Sequence, residues 1–203
     1  MIIRAAKELD CVQRFRFSPT SDSQGRLAHM LLKHAVEADF AEIIDLVNLA
    51  YRGTGPSASW NIEAGIIEGQ RLNELLLRED LAAKPDAHFL IHRDEIDGSL
   101  MGTVWLDESE SGVWYLGLLT VKPTLQNTQL GRTLLNAAEE FARKRGAACV
   151  RMTVVNVRDT LVAWYQRRGY RLTGETKPFP YGDNRFGTPL RDDLEFVVLE
   201  KNL

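Results

Sequence analysis

The stretch from Val113 to Arg145 constrains this chain most. An apolar run, Val113 to Val121, stops at Pro123, passes through the polar turn Thr124-Leu125-Gln126-Asn127-Thr128-Gln129, and opens at Leu130-Gly131-Arg132 into an amphipathic segment. Leu130, Leu134, Ala137, Ala138 and Phe141 fall at i, i+4, i+7, i+8 and i+11, which is helical spacing, while Asn136, Glu139, Glu140 and Arg143 take the other face. Gly146, after the basic cluster Arg143-Lys144-Arg145, stops the helix. The pattern is strand, tight turn, helix. Such a turn delivers unpaired backbone N–H groups and the positive end of a helix dipole to one spot, so it can hold a phosphate. Gly-x-Gly-x-x-Gly is absent and no Gly-Lys-Ser/Thr follows, which sets aside the dinucleotide fingerprint and the Walker A loop.

These residues resemble the acetyl-CoA-binding turn of the GNAT superfamily of N-acetyltransferases, Arg/Gln-x-x-Gly-x-Gly/Ala after a strand ending apolar-x-Val-x-Pro. Leu119, Val121, Pro123, Gln126, Gly131 and Arg132 match. Gln129 departs, standing where the superfamily usually has its first Gly, and a side chain there narrows the approach to the pyrophosphate. Downstream, Tyr165-Gln166-Arg167-Arg168-Gly169-Tyr170 matches the superfamily's Tyr-x-x-x-Gly-Phe/Tyr signature. The resemblance covers Leu31 to Lys201. It implies an α/β (α+β) fold with a mixed, mostly antiparallel sheet flanked by helices, the cofactor entering where the fourth and fifth strands splay. It also implies acetyl-CoA as cosubstrate without a metal, and a primary amine of a small molecule or peptide as acceptor. The implied cofactor contacts are Leu119, Thr120 and Val121 on the strand and Gln126, Asn127, Thr128, Gln129, Leu130, Gly131 and Arg132 on the turn.

Composition agrees with an ordinary soluble globular protein. At 203 residues, 44% apolar and 26% charged, the chain suits one domain with a sizeable core. A net charge of −3 supplies no basic excess for nucleic acid or for a membrane surface. No apolar run reaches a membrane span and the N-terminus lacks a signal-peptide core, so a cytoplasmic protein is expected. Cys11 and Cys149 are too isolated for a disulfide framework or a metal knuckle. A homodimer is left open.

Residues 1–28 show no sustained period and read as a loosely ordered extension, with Met30 as a candidate natural start and residues 29–203 as the single domain. Met30 to Val36 reads as a strand. Asp39, with Glu42 three residues on, opens a helix whose stripe is Phe40, Ile43, Ile44, Val47 and Ala50, ending at Tyr51 and Gly53. After a Gly/Pro/Ser-rich loop, Ile62 to Gln70 and Asn73 to Ala83 read as two short helices. In superfamily relatives this region covers the acceptor side, which implies Trp60, Asn61, Glu63 and Arg71 as substrate contacts. His88 to Asp94, Gly98 to Leu106 and Val113 to Val121 form an antiparallel meander. His88 and His92 share a strand face but stand about 13 Å apart at roughly 3.3 Å per residue, too far for one metal ion. Cys149 to Val155 is a strand, Asp159 caps a helix from Thr160 to Arg168, Tyr170 to Gly174 and Leu194 to Leu199 are strands, and Glu175 to Arg191 is a long loop. Its Tyr181 and Arg185 are candidate acceptor contacts.

Acetyl transfer to an amine needs a neutral nucleophile, a polarised thioester carbonyl and a proton for the departing thiolate. An alkyl ammonium of pKa about 10.4 must first lose a proton. Many superfamily members carry a Glu on the strand before the turn; this chain has Trp114 to Leu119 there and no carboxylate, leaving Glu63, Asp107, Glu108 and Asp183 as base candidates. Backbone N–H groups around Leu119 to Val121 can polarise the carbonyl. Tyr165 occupies the superfamily position of the thiolate's proton donor. Arg158 stands where Asn is frequent and is read as a contact for CoA phosphate or for an acceptor carboxylate, or as a merely exposed side chain. Two rivals stand beside the enzyme: a catalytically idle acyl-CoA-binding regulatory module, favoured by Gln129, Arg158 and the missing Glu, and a purely structural interaction domain.

Overall fold

Apolar runs without strict alternation, such as Phe89-Leu90-Ile91 and Val104-Trp105-Leu106, need cover on both sides of a sheet. The computed structural model describes residues 30–53, 62–63, 65–126 and 128–203. The head expected over residues 1–28, and Trp60, Asn61 and Asn127, lie outside the described residues. In chain order the elements are β1 (Lys33–His34), α1 (Phe40–Arg52), β2 (Ile67–Glu68), α2 (Glu74–Ala83), β3 (His88–Arg93), β4 (Leu100–Glu110), β5 (Val113–Val121), α3 (Leu130–Arg143), β6 (Cys149–Val155), α4 (Asp159–Gln166), β7 (Arg171–Pro178), β8 (Thr188–Pro189) and β9 (Glu195–Asn202).

Seven strands form one sheet in the order β1-β3-β4-β5-β6-β9-β7, and β2 pairs with β8 in a separate ribbon. Every neighbouring pair is antiparallel except β5 and β6. Alternate residues of β3 and β4 sort into two cores. Leu90, Val104 and Leu106 meet Leu134, Leu135 and Ala138 of α3 and Val162 and Tyr165 of α4 on one face. Phe89, Ile91 and Trp105 meet Phe40, Ile43 and Val47 of α1 and Leu77 of α2 on the other. A third cluster, Ile67, Val155, Phe179 and Leu194, seats the β2–β8 ribbon. Close approach of α3 requires Gly102, where an added Cβ would stand 2.8 Å from the Thr120 carbonyl oxygen and 2.9 Å from Leu134 Cδ2.

The mixed, mostly antiparallel sheet with flanking helices is the architecture expected, with several local corrections. The strand expected over Met30 to Val36 is only Lys33–His34. The helix expected over Ile62 to Gln70 does not form: Gly65 and Gly69 adopt φ of 81° and 86°, which break a right-handed run, and Ile67–Glu68 pairs with β8 instead. Asp39 accepts the Val36 N–H at 2.8 Å, one turn earlier than expected, while Glu42 reaches across to the Leu100 N–H at 3.1 Å. The loop expected from Glu175 is shorter, because β7 runs on to Pro178, and Thr188–Pro189 is strand. The stripe of α3 is rotated from the expected one: Leu135 and Ala142 are buried, and so is Glu139, which accepts the Tyr170 hydroxyl at 2.9 Å and Lys201 Nζ at 2.6 Å.

Candidate functional site

The site is made where β5 and β6 part. Their parallel ladder holds only from Val113/Cys149 to Tyr115/Arg151, whereas β6 stays paired with β9 as far as Val155. Beyond Tyr115, β5 therefore swings away and its backbone groups on that side lose their strand partner. The Tyr115 hydroxyl spans the mouth to Thr153 Oγ1 at 3.1 Å. At the same level the β4–β5 register slips between Thr103 and Trp105, and Leu118 takes a left-handed conformation, φ 47°. A bulged non-glycine there costs roughly 1–3 kcal/mol and persists only where its surroundings enforce it. The Thr103 and Thr120 hydroxyls do so by donating to the Leu118 carbonyl at 3.2 and 3.0 Å. Sequence reasoning missed Leu118, although Gly117 inside a strand was the signal for a bulge.

Two cavities flank this splay. One, of about 490 Å³, is walled by Leu119, Thr120 and Val121 of β5, by Gln126, Gln129, Leu130, Gly131 and Arg132 of the turn, and by Trp164, Tyr165, Arg167 and Arg168. The second, of about 590 Å³, is lined by Glu63, Arg71, Arg158 and Arg185 together with Tyr115, Phe179 and Phe186. Tyr51, Leu119, Leu161 and Tyr165 line both. Tyr51, the last aromatic of α1, was not singled out from sequence as a site residue; a Tyr closing an amphipathic helix ahead of a Gly/Pro loop was the available sign.

The first cavity has the chemistry of an anion cradle. Among the described residues, Thr133 is the first of α3 whose N–H finds a helical acceptor, Gln129 O at 3.0 Å, and the N–H groups of Leu130, Gly131 and Arg132 find none. Gln126 and Thr128 N–H already bond to Pro123 O at 3.3 Å and Leu125 O at 3.4 Å, which narrows the donor set expected from Gln126 to Arg132. A Cβ at Gly131 would fill space 3.6 Å from the Trp164 ring and 3.7 Å from Val121. Gln129 holds φ 65°, ψ 2°, the left-handed conformation that a glycine adopts freely. The Arg168 guanidinium stacks 3.4 Å over Trp164, and its Nε has no partner among the described residues. Burial, then Arg167, then Arg132 push its pKa down, so three guanidinium groups crowd one region. A polyphosphate ester such as CoA relieves that crowding, and the residues present fit one.

Tyr165 is buried, 6% exposed, and its ring stands edge-on to Trp164 and Tyr170. Burial, with the nearby Tyr51 and Tyr115, pushes its phenol far above the ordinary value, so it stays protonated. Among the described residues its hydroxyl makes no hydrogen bond.

The second cavity is braced by ions. Glu63 is clamped between Arg52, and Arg158 at 2.9 Å, all three deeply buried. Arg158 thereby lines this second cavity and not the first. Arg185 pairs with Asp80. Tyr181 does not line either cavity; it is 45% exposed and its hydroxyl accepts the Leu194 N–H at 2.7 Å, pinning the loop end. The expected bases are engaged: Asp107 holds Trp105 Nε1 and Lys84 Nζ, both at 2.6 Å, Glu108 accepts the Gly112 N–H, and Asp183 accepts the Arg185 N–H. His88 bonds His34 at 3.0 Å, and no group of three or more ligating side chains gathers among the described residues. No described helix is long and apolar enough to cross a membrane.

The sequence profile described as the acetyltransferase (GNAT) family matches residues 56–170. The chain is 33% identical over 111 residues to an IAA acetyltransferase of Azospirillum brasilense, a span of 54% of this chain and 69% of that relative. In fold it is similar to the ribosomal-protein-alanine N-acetyltransferase of Brucella melitensis, TM-score 0.58 at 19% identity, over 85% of this chain and 99% of that one. It is also similar to an acetyltransferase of Elizabethkingia anophelis solved with acetyl-CoA bound, TM-score 0.55 at 16% identity, over 64% and 84% of the two chains.

Proposed function

Because this chain belongs to the acetyltransferase (GNAT) family, we propose that it transfers the acetyl group of acetyl-CoA to a primary amine of a small molecule or peptide, by direct attack on the thioester. The observation that carries this reading is the meeting of an anion-binding cavity and an acceptor-sized cavity at one buried, protonated phenol, Tyr165. Acetyl-CoA lies with its pyrophosphate on the Leu130–Arg132 N–H groups and its phosphates near Arg132, Arg167 and Arg168. The thioester reaches the splay beside Leu119. A neutral amine arriving from the second cavity attacks the carbonyl carbon, whose oxygen is held by backbone N–H groups of the bulged strand. The C–S bond breaks and the thiolate takes the Tyr165 proton. With Glu63 neutralised by two guanidiniums and Asp107 engaged, the proton of the attacking amine leaves through water, and a proton returned through water restores the Tyr165 phenol, so that no net proton is released.

A thiol-release assay with acetyl-CoA against amines, amino acids and peptides tests this. Turnover is expected, with kcat/KM rising with pH as the acceptor loses its proton. Because burial raises the Tyr165 pKa, no descending limb from its ionisation appears up to about pH 10, the ordinary phenol value. Acetyl-CoA binding with no turnover would favour the idle acyl-CoA-binding module, the reading that Gln129 and the missing strand Glu support.

A further inference from the structure

The geometry points to an acceptor amine that also carries a carboxylate, read by Arg71. The inference rests on the transferase reading above and names its substrate class. Six cationic side chains line the acceptor cavity against two carboxylates, in a chain whose net charge is −3. Most of those cations are already answered. Arg52 and Arg158 share Glu63, Arg185 has Asp80, and Lys84 has Asp107. Lys177 is 57% exposed in water, with a Glu175 oxygen 4.0 Å away.

Arg71 differs from all of these. It has no ion pair among the described residues, and it is held half-buried in the cavity wall. Its guanidinium carbon lies 5.5 Å from the Tyr51 ring centroid and 5.4 Å from that of Phe186. Its own backbone is fixed, because its N–H donates to Asn48 Oδ1 at 2.7 Å. The two aromatic faces orient the planar fork without consuming its N–H donors. Residues 54–61 and Ala64, outside the described residues, include no acidic side chain. Tyr51 lines both cavities, so an anion on Arg71 is placed beside the reacting end of the site. A guanidinium in a partly desolvated wall favours a bidentate carboxylate over water. The Tyr115, Phe179 and Phe186 rings in the same cavity suit an apolar or aromatic body between the carboxylate and the amine.

The test pairs each amino carboxylate with its own carboxamide: glycine, β-alanine, phenylalanine and 4-aminobenzoate against the four amides. In the parental protein at least one carboxylate is expected to exceed its amide in kcat/KM by roughly 10- to 100-fold, the range of a charge-assisted hydrogen bond. Arg71→Gln should collapse that ratio towards one, and Arg71→Glu should invert it. Calorimetry of acetyl-CoA binding to each variant confirms that it is folded and isolates the two claims. Equal use of acids and amides, a ratio that survives Arg71→Gln, or acetyl-CoA binding with no acid acetylated would overturn the assignment of Arg71. Failure of the parental protein to bind acetyl-CoA would instead overturn the transferase reading itself.

Discussion

Glu63 holds the acceptor side together by electrostatics that cannot be relaxed piecemeal. Its two carboxylate oxygens are divided between Arg52, from the last turn of α1, and Arg158, from the corner between β6 and α4. All three side chains are at most 9% exposed, so removing the anion strands two desolvated cations in one place. Breaking a buried pair in this way costs about 3–5 kcal/mol. Glu63→Gln keeps the shape and removes the charge; it is expected to lower stability by about 3 kcal/mol or more in denaturant titration. A loss under about 1 kcal/mol, the range of surface pairs, would show that water reaches the cluster. From sequence Glu63 was a substrate contact or a base, because nothing in its neighbourhood of Gly, Ser and Ile discloses that arginines 11 residues before and 95 residues after converge on it.

Among the elements, the turn into α3 is where one residue departs from its family and the backbone shows what that departure means. Gln129 takes a left-handed conformation immediately before a 14-residue helix. For an L-residue that conformation costs roughly 1–2 kcal/mol, partly offset against glycine by glycine's looser unfolded chain. Gln129→Gly is therefore expected to raise stability by up to about 1 kcal/mol, or roughly 2–4 °C in Tm, without weakening acetyl-CoA binding. A clear drop in Tm would mean that the Gln129 side chain makes a contribution larger than its backbone strain. The strand, turn and helix themselves were legible, because a 3.6-residue period after a Pro-terminated apolar run has few readings. The rotation of the α3 stripe was not: Glu139 reads as solvent-facing until Tyr170 and Lys201, distant in sequence, supply its partners. The stretch 62–70 failed for a related reason, since apolar spacing suggested a helix while two positive-φ glycines and a strand more than 100 residues downstream decided otherwise.

Across the molecule, the described residues form three apolar clusters, two of them on opposite faces of the sheet. Because residues 1–28 show no sustained apolar period, a chain starting at Met30 is expected to keep its Tm within about 4 °C, the shift that about 1 kcal/mol produces at this size. A larger fall would show that residues 1–28 contribute to the core. The splay between β5 and β6 follows from pairing: β9 holds β6 along its length, β4 holds β5, and the two halves of the sheet share only three residue pairs. That opening, with Tyr165 at its edge, is the centre of the account. Its most direct test is single-turnover acetyl transfer by Tyr165→Phe, which keeps the ring in the core and removes only the donor. The rate of CoA release is expected to fall by about 10²- to 10⁴-fold, the contribution of a positioned acid, while acetyl-CoA affinity stays near the parental value. Transfer at the parental rate by a folded, acetyl-CoA-binding variant would contradict the account and leave Tyr165 as a packing residue.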